Sequence, residues 1–94
     1  MRMEFVFNEE KSREKKIDLS LCYEVLDDYF EERGIHKLAR GVYCGDGLKD
    51  GGKEVFLEAH YYLPRVSWFN QIVESWGCFT SDSKYLVKTL VHGN

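Results

Sequence analysis

An aromatic-rich stretch between residues 55 and 76 limits the possible folds of this chain more than any other feature. It holds six of the 14 aromatic residues. Because burial of apolar surface is the main favourable term in folding, we expect the core to form around this stretch. The only proline of the chain, Pro64, divides it into two parts with different periodicities.

Before Pro64, the alternation of side chains predicts a strand over residues 54–63. After it, apolar residues recur at i, i+1, i+4, i+5 and i+8 from Trp68. This spacing predicts a short helix with Ser67 as its N-cap and Gly77 beyond its end. The predicted strand directs one set of side chains away from the core: Phe56, Glu58, His60 and Tyr62.

The clearest helix pattern covers residues 19–33, where apolar residues again recur at i, i+1, i+4 and i+5. Asp18 or Ser20 can cap its start, and Gly34 lies where helices often close with a left-handed residue. The predicted apolar face consists of Leu21, Cys22, Val25, Leu26, Tyr29 and Phe30.

The outer face of this predicted helix is acidic, and no Lys or Arg occurs from Asp18 through Glu32. A solvated face balanced by the basic residues that follow would explain the pattern. So would a docking surface for a basic partner, which charge would steer. The candidate contact residues on this face are Glu24, Asp27, Asp28 and Glu31.

Three further segments complete the body of the chain. Residues 2–7 alternate and predict a first strand. Residues 8–17 are almost wholly charged and predict a solvated connection. Residues 38–44 predict a second strand, paired as a hairpin with the strand at 54–63 and with the glycine-rich segment 45–53 as a flexible tip.

The tail, residues 82–92, suits a strand or a helix, and its β-branched residues favour a strand. As a strand it completes the order β-α-β-β-α-β, a ferredoxin-like antiparallel sheet with both helices on one face. As a helix it gives β-α-β-β-α-α with a three-stranded sheet. Both are α+β folds, and a length of 94 residues predicts one compact domain over residues 1–94.

Composition restricts where the protein acts. The first ten residues turn acidic where a signal peptide needs an apolar segment, and no apolar run approaches the ~18–20 residues that span a bilayer. Cys22, Cys44 and Cys78 are an odd number of cysteines at wide spacing, which argues against a disulfide framework. We therefore expect a cytoplasmic protein without membrane contact. No Cys or His residues stand at the short spacings of zinc ligands, so we expect no metal and no cofactor.

The charge pattern argues against direct binding of nucleic acid. The net charge is −3, and the sequence has no basic stripe. Contacts between basic side chains and phosphates supply most of the affinity for DNA or RNA. An acidic domain of this kind is better suited to a protein partner.

The sequence favours a binding role over an enzymatic one. We expect a small cytosolic domain that binds another protein through the acidic helix face, or through sheet aromatics exposed with Phe56, His60 and Tyr62. A homodimer formed through the open sheet is the simplest version. An accessory or inhibitory protein of a mobile element or phage also fits, because a small acidic domain can occupy the nucleic-acid channel of a basic target.

The alternative is a small-molecule-binding or enzymatic domain with a pocket near His60. Nucleophilic catalysis needs a nucleophile, a base and an orienting group. Cys44 or Cys78, together with His60 and Glu58, supplies these residue types, although no spacing in the sequence selects them.

Overall fold

The computed structural model describes residues 1–80, which form an α+β fold with a four-stranded antiparallel sheet and four helices. A single 3₁₀ turn, Leu63–Arg65, joins the third and fourth helices. The elements in chain order are β1 (Arg2–Phe7), α1 (Glu9–Glu14), α2 (Leu19–Glu31), β2 (His36–Ala39), β3 (Val42–Cys44), α3 (Lys53–Tyr62), α4 (Ser67–Ile72) and β4 (Val73–Phe79). The sheet order is β2-β3-β1-β4, and every neighbouring pair is antiparallel. The predicted α+β class is confirmed.

One face of the sheet carries the core. Strand β1 alternates as predicted, and its inward residues, among them Phe5, are buried. The Phe5 ring stacks on Trp76 of β4 at 5.7 Å and meets the edges or tilted faces of Phe30 from α2 and Phe69 from α4, each at 6.0 Å. Helix α3 joins the same core through Phe56, which lies 5.9 Å from Phe30. The helices that carry these rings therefore pack on a single face of the sheet.

Helix α2 forms where the sequence predicted a helix. The Asp18 carboxylate caps it by accepting hydrogen bonds from the backbone N–H groups of Ser20 and Leu21, at 2.9 and 3.3 Å. The last helical residue is Glu31, two residues before the predicted end, and Gly34 follows with a φ of 82°. The predicted cap and the left-handed closing residue are both confirmed.

The predicted strand over residues 54–63 is wrong, because these residues form helix α3. Phe56, Ala59 and Leu63 are buried at spacings of i, i+3 and i+7, which is one face of a helix. The alternation seen in the sequence was an accidental consequence of the apolar residues Leu57 and Tyr61, which are both exposed.

The predicted hairpin is also displaced. The segment predicted as one strand, 38–44, belongs to two short strands, β2 and β3, that pair with each other across a turn at Gly41. Residues 45–52 therefore join a strand to a helix and are not a hairpin tip. A Cβ atom on Gly45 would lie 2.5 Å from the Gly51 carbonyl oxygen, so this loop folds back closely on itself.

Two further elements differ from the predicted ones, one near each end of the described residues. The charged segment 8–17 contains helix α1, whose N-cap Asn8 accepts a hydrogen bond from the Lys11 N–H at 2.8 Å. The predicted helix after Pro64 is shorter than expected, because α4 ends at Ile72 and the chain continues directly into β4. Ser67 is its first residue and not its N-cap, and Gly77 lies within β4, so both of these predictions are wrong. The fourth strand thus precedes the tail, and the alternative with a three-stranded sheet is wrong. The prediction for residues 82–92 lies outside the described residues.

We predict that Asp50→Ala lowers the melting temperature near neutral pH. The Asp50 carboxylate accepts hydrogen bonds from the backbone N–H groups of Glu54 and Gly52, at 3.0 and 2.9 Å, at the start of α3. These bonds hold the pKa of Asp50 below its ordinary value of 3.8. The stabilisation is therefore present above about pH 4 and is lost as the pH falls through the folded-state pKa.

Thermal unfolding followed by circular dichroism between about pH 7 and pH 2 tests this prediction. The difference between wild type and Asp50→Ala should shrink as the pH falls, whereas Lys49→Ala, an exposed change in the same loop, should alter little at any pH. A difference that stays constant down to about pH 2 would contradict the capping role.

Candidate functional site

A groove open to solvent runs between α2 and α3, beside the buried contact of Phe30 with Phe56. Its volume is about 630 Å³. The lining combines aromatic rings, an aliphatic side chain and carboxylates. The lining residues are Val25, Asp28, Tyr29, Glu32, Arg33, Glu58, Tyr61 and Tyr62.

Helix α2 supplies an exposed apolar side chain, Val25, to the groove because its buried stripe is narrower than the sequence predicted. Cys22 and Leu26 are 5% and 0% exposed, but the residues immediately before them, Leu21 and Val25, are 57% and 52% exposed. Consecutive residues point about 100° apart on a helix, so only one of each apolar pair faces the sheet. Leu21 and Val25 were predicted in the core and instead lie on the surface.

A stack of side chains fixes the geometry of the groove. The Tyr29 and Tyr62 rings are nearly parallel, at 8° and 5.5 Å, and the Arg33 guanidinium lies 3.7 Å from the centre of the Tyr29 ring. Both Arg33 Nε and the Tyr29 hydroxyl donate to Glu58 Oε1, each at 3.3 Å. These contacts join α2 to α3, so the positions of the two walls are coupled.

The pKa of the Tyr29 hydroxyl reflects its place in this stack. Partial burial raises it, the neighbouring Arg33 cation lowers it, and the Glu58 carboxylate raises it. The net direction is upward, so Tyr29 is neutral at physiological pH and acts as a hydrogen-bond donor. It holds the groove together and has no property of a general base.

The predicted acidic face divides into two parts. Glu24, Asp28 and Glu31 are exposed, and within residues 1–80 no cationic group lies within 4.0 Å of their carboxylates. Asp28 also lines the groove. Charge on these three residues is therefore available to a partner.

Asp27 is half-buried and already has hydrogen-bond partners. Its carboxylate accepts hydrogen bonds from the Tyr43 hydroxyl at 2.7 Å and from Lys37 Nζ at 2.9 Å. Tyr43 is fully buried, and burial followed by the Asp27 contact raises the pKa of its hydroxyl far above the ordinary range. Asp27 satisfies a phenol that would otherwise lack a partner in the core.

The three residues predicted on an open sheet face do not share a face. Phe56 is in the core with 1% exposure. His60 stacks on Trp76 at 4.7 Å and its Nδ1 lies 3.0 Å from the Phe56 carbonyl oxygen. Tyr62 alone lines the groove. The outward face of the sheet presents Val6 with its neighbours on β1.

The residues of the alternative site have different neighbours. Glu58 faces the groove, whereas His60 lies against Trp76 and Cys78 on the core side of α3. Cys78 Sγ is 4.0 Å from His60 Nδ1, but burial raises the pKa of this thiol to about 11. A nucleophilic cysteine needs a lowered pKa. The pair therefore has the environment of buried structural residues.

Comparisons with protein-family models, with curated proteins and with solved structures give no match. Among residues 1–80, no three His, Cys, Asp or Glu side chains are grouped so that they could hold a metal ion. In the same part of the chain, no helix has both the length and the apolar character needed to cross a membrane.

We predict that the adjacent residues Asp27 and Asp28 respond differently to alanine substitution. Asp27→Ala leaves the buried Tyr43 hydroxyl without its acceptor and should cost about 1–3 kcal/mol of unfolding free energy. Asp28→Ala removes an exposed carboxylate and should change it by less than about 0.5 kcal/mol. Urea denaturation of both variants measures the two values, and equal costs would refute the division of the acidic face.

Proposed function

We propose that this protein is a small protein-binding domain whose contact surface is the groove between α2 and α3. One observation carries the proposal: apolar side chains stay exposed together in a groove that carboxylates also line. Val25, Tyr61 and Tyr62 are 52%, 69% and 48% exposed and line one groove. Clustered exposed apolar side chains, with tyrosine among them, are typical of surfaces that another protein covers.

In this proposal the acidic helix face and the exposed aromatics are parts of one surface. Asp28 and Tyr62 meet in the groove, and Glu24 and Glu31 extend the acidic side along α2. Asp27 and Phe56 are excluded because their side chains already serve the core. The binding residues that we propose are therefore a subset of those selected from the sequence, with Val25 and Tyr61 added.

The proposal includes a cellular setting. The three cysteines are free thiols, which suits a reducing cytoplasm. The acidic surface favours a protein partner over direct contact with nucleic acid. An accessory or inhibitory role toward a nucleic-acid-binding protein of a mobile element or phage follows naturally, since such a target presents basic surface.

We also propose that the fold is a variant of the ferredoxin-like arrangement. The order β2-β3-β1-β4, with a helix between β1 and β2 and another between β3 and β4, supports this assignment. The additional helices α1 and α4 and the short strands β2 and β3 are departures from its simplest form. Many unrelated functions share that arrangement, so it adds nothing to the functional argument.

We predict that charge reversal on α2 abolishes partner capture without unfolding the protein. The test variant is the triple change Glu24→Lys, Asp28→Lys and Glu31→Lys, which leaves Asp27 intact. Tagged protein captures partners from cells that express it naturally, and quantitative mass spectrometry compares the recovered proteins. We expect at least about a tenfold loss of the specific partner, because its basic surface would meet positive charge.

The matched control makes the same change in charge on α1, through Glu9→Lys, Glu10→Lys and Glu14→Lys. These residues are exposed and lie outside the groove. The control should retain the partner, and melting temperatures should show that both triple variants are folded. Equal recovery of the partner by wild type and by the α2 variant would overturn the proposed surface.

A further inference from the structure

We infer that the α2–α3 groove receives a basic amphipathic helix from the partner protein. This inference rests on the proposed function and specifies the chemistry of the partner. It follows from three properties of the groove: the element type of its walls, their exposed apolar side chains and the distribution of the charges.

Because both walls of the groove are helices, the occupant must form the hydrogen bonds of its own backbone N–H and C=O groups internally. An extended peptide gains much of its affinity from main-chain hydrogen bonds to a free strand edge. The groove instead lies between α2 and α3, whose interior backbone groups bond within each helix. A helix brings no unpaired main-chain groups to such a surface and can make its contacts through side chains alone.

The exposed apolar side chains of the groove indicate where the bound helix should carry apolar residues. Val25 on one wall and Tyr61 and Tyr62 on the other are available for contact. Helix α2 has 13 residues and is about 20 Å long, so an occupant of three to four turns would follow its length. Apolar residues at i, i+3 or i+4 and i+7 of that helix would face the groove.

The charges of the groove favour basic residues on the bound helix, beside its apolar stripe. Asp28, Glu32 and Glu58 line the groove, and a second depression continues from it toward Glu54. Arg33 is the one basic residue that lines the groove among those described, and it is already placed over Tyr29 and against Glu58. Arg33 also lies 3.9 Å from Glu32, so it is shared by two carboxylates, and no cation of residues 1–80 lies within 4.0 Å of Asp28. Lysine or arginine on the occupant would therefore meet a net negative charge.

The charges on the two walls indicate which side of the bound helix faces which wall. On the α3 side of the groove, Arg65 lies over the Tyr61 ring, 4.2 Å from its centre. Asp28, the lining carboxylate without a cation within 4.0 Å among residues 1–80, lies on the opposite wall, α2. The basic side of the bound helix should face α2, and its less charged side should face Tyr61.

Residues 1–80 of a second copy do not supply such an occupant. A two-fold interface would place the same groove against itself, so that Asp28 and Glu32 of both copies would approach each other. Among the described helices, α1 has the most basic residues, but it has only six residues, and three of them are glutamates. The charges of the groove thus point to a different protein.

Three synthetic helical peptides test the inference with the intact protein. The first has a leucine stripe at i, i+4 and i+7 with lysine on one flank and glutamine on the other. The second has the same stripe with glutamate in place of each lysine. The third has the composition of the first in a scrambled order that destroys the stripe. Fluorescence anisotropy at low and physiological salt measures their affinities, and ¹⁵N-resolved NMR locates the perturbed residues.

We expect the first peptide to bind at least about tenfold more tightly than either control and to weaken as salt is added. The perturbed amides should lie in residues 21–33 and 53–65. The triple α2 variant should lose this binding, and the triple α1 variant should keep it.

Equal binding of the scrambled peptide would overturn the inference, since charge alone would then suffice, and so would failure of the first peptide to bind. The two proposals can fail separately. If partner capture depends on α2 but no peptide binds, the protein-binding function stands and the helical occupant is wrong. If partner capture does not depend on α2 and no peptide binds, the groove is not a contact surface.

Discussion

The packing of Phe5 at the centre of strand β1 determines how the rest of the structure is arranged. Its ring stacks on Trp76 at an interplanar angle of 12° and meets Phe69 edge-on at 82°. It therefore links the strand pair β1–β4 to helix α4, and through Phe30 to α2. Offset and edge-to-face pairs of this kind add about 0.5–1.5 kcal/mol each to the burial of the rings. Because this cluster lies on one side of the sheet, the helices turn their opposite sides to solvent, and the groove is formed from what they leave exposed.

The groove is acidic because three carboxylates and one arginine, Arg33, are among the described residues that line it. Four of the five arginines lie over aromatic rings, where the guanidinium contacts the face of the ring. Arg33 is the clearest case, since its position on Tyr29 also brings it to Glu58. Stacking on a ring does not prevent ion pairing, since Arg2 also pairs with Glu4. The pairs are Arg2 with Phe79, Arg33 with Tyr29, Arg40 with Tyr23, and Arg65 with Tyr61.

The sequence predicted an element correctly where its local pattern fits only one type of secondary structure. It predicted β1 and α2, the cap at Asp18 and the α+β class. It failed at α3 because ten residues can alternate by accident, and the helix is the structure that buries both Phe56 and Ala59. The spacing of Phe56, Ala59 and Leu63, with Asp50 before them, was the signal that could have identified it. The Tyr29–Tyr62 stack was not predictable, since it depends on which sides of α2 and α3 meet.

The central claim is that the outward apolar residues of α2 are not needed for folding and are free to bind. Val25 and Leu26 test it directly, because they are neighbours on one helix with 52% and 0% exposure. Chemical denaturation of the two alanine variants measures their unfolding free energies. Leu26→Ala should cost about 2–5 kcal/mol, as buried leucines do, and Val25→Ala should change stability by less than about 0.5 kcal/mol. A cost for Val25→Ala as large as that for Leu26→Ala would contradict the account, because it would place the wall of the groove inside the core.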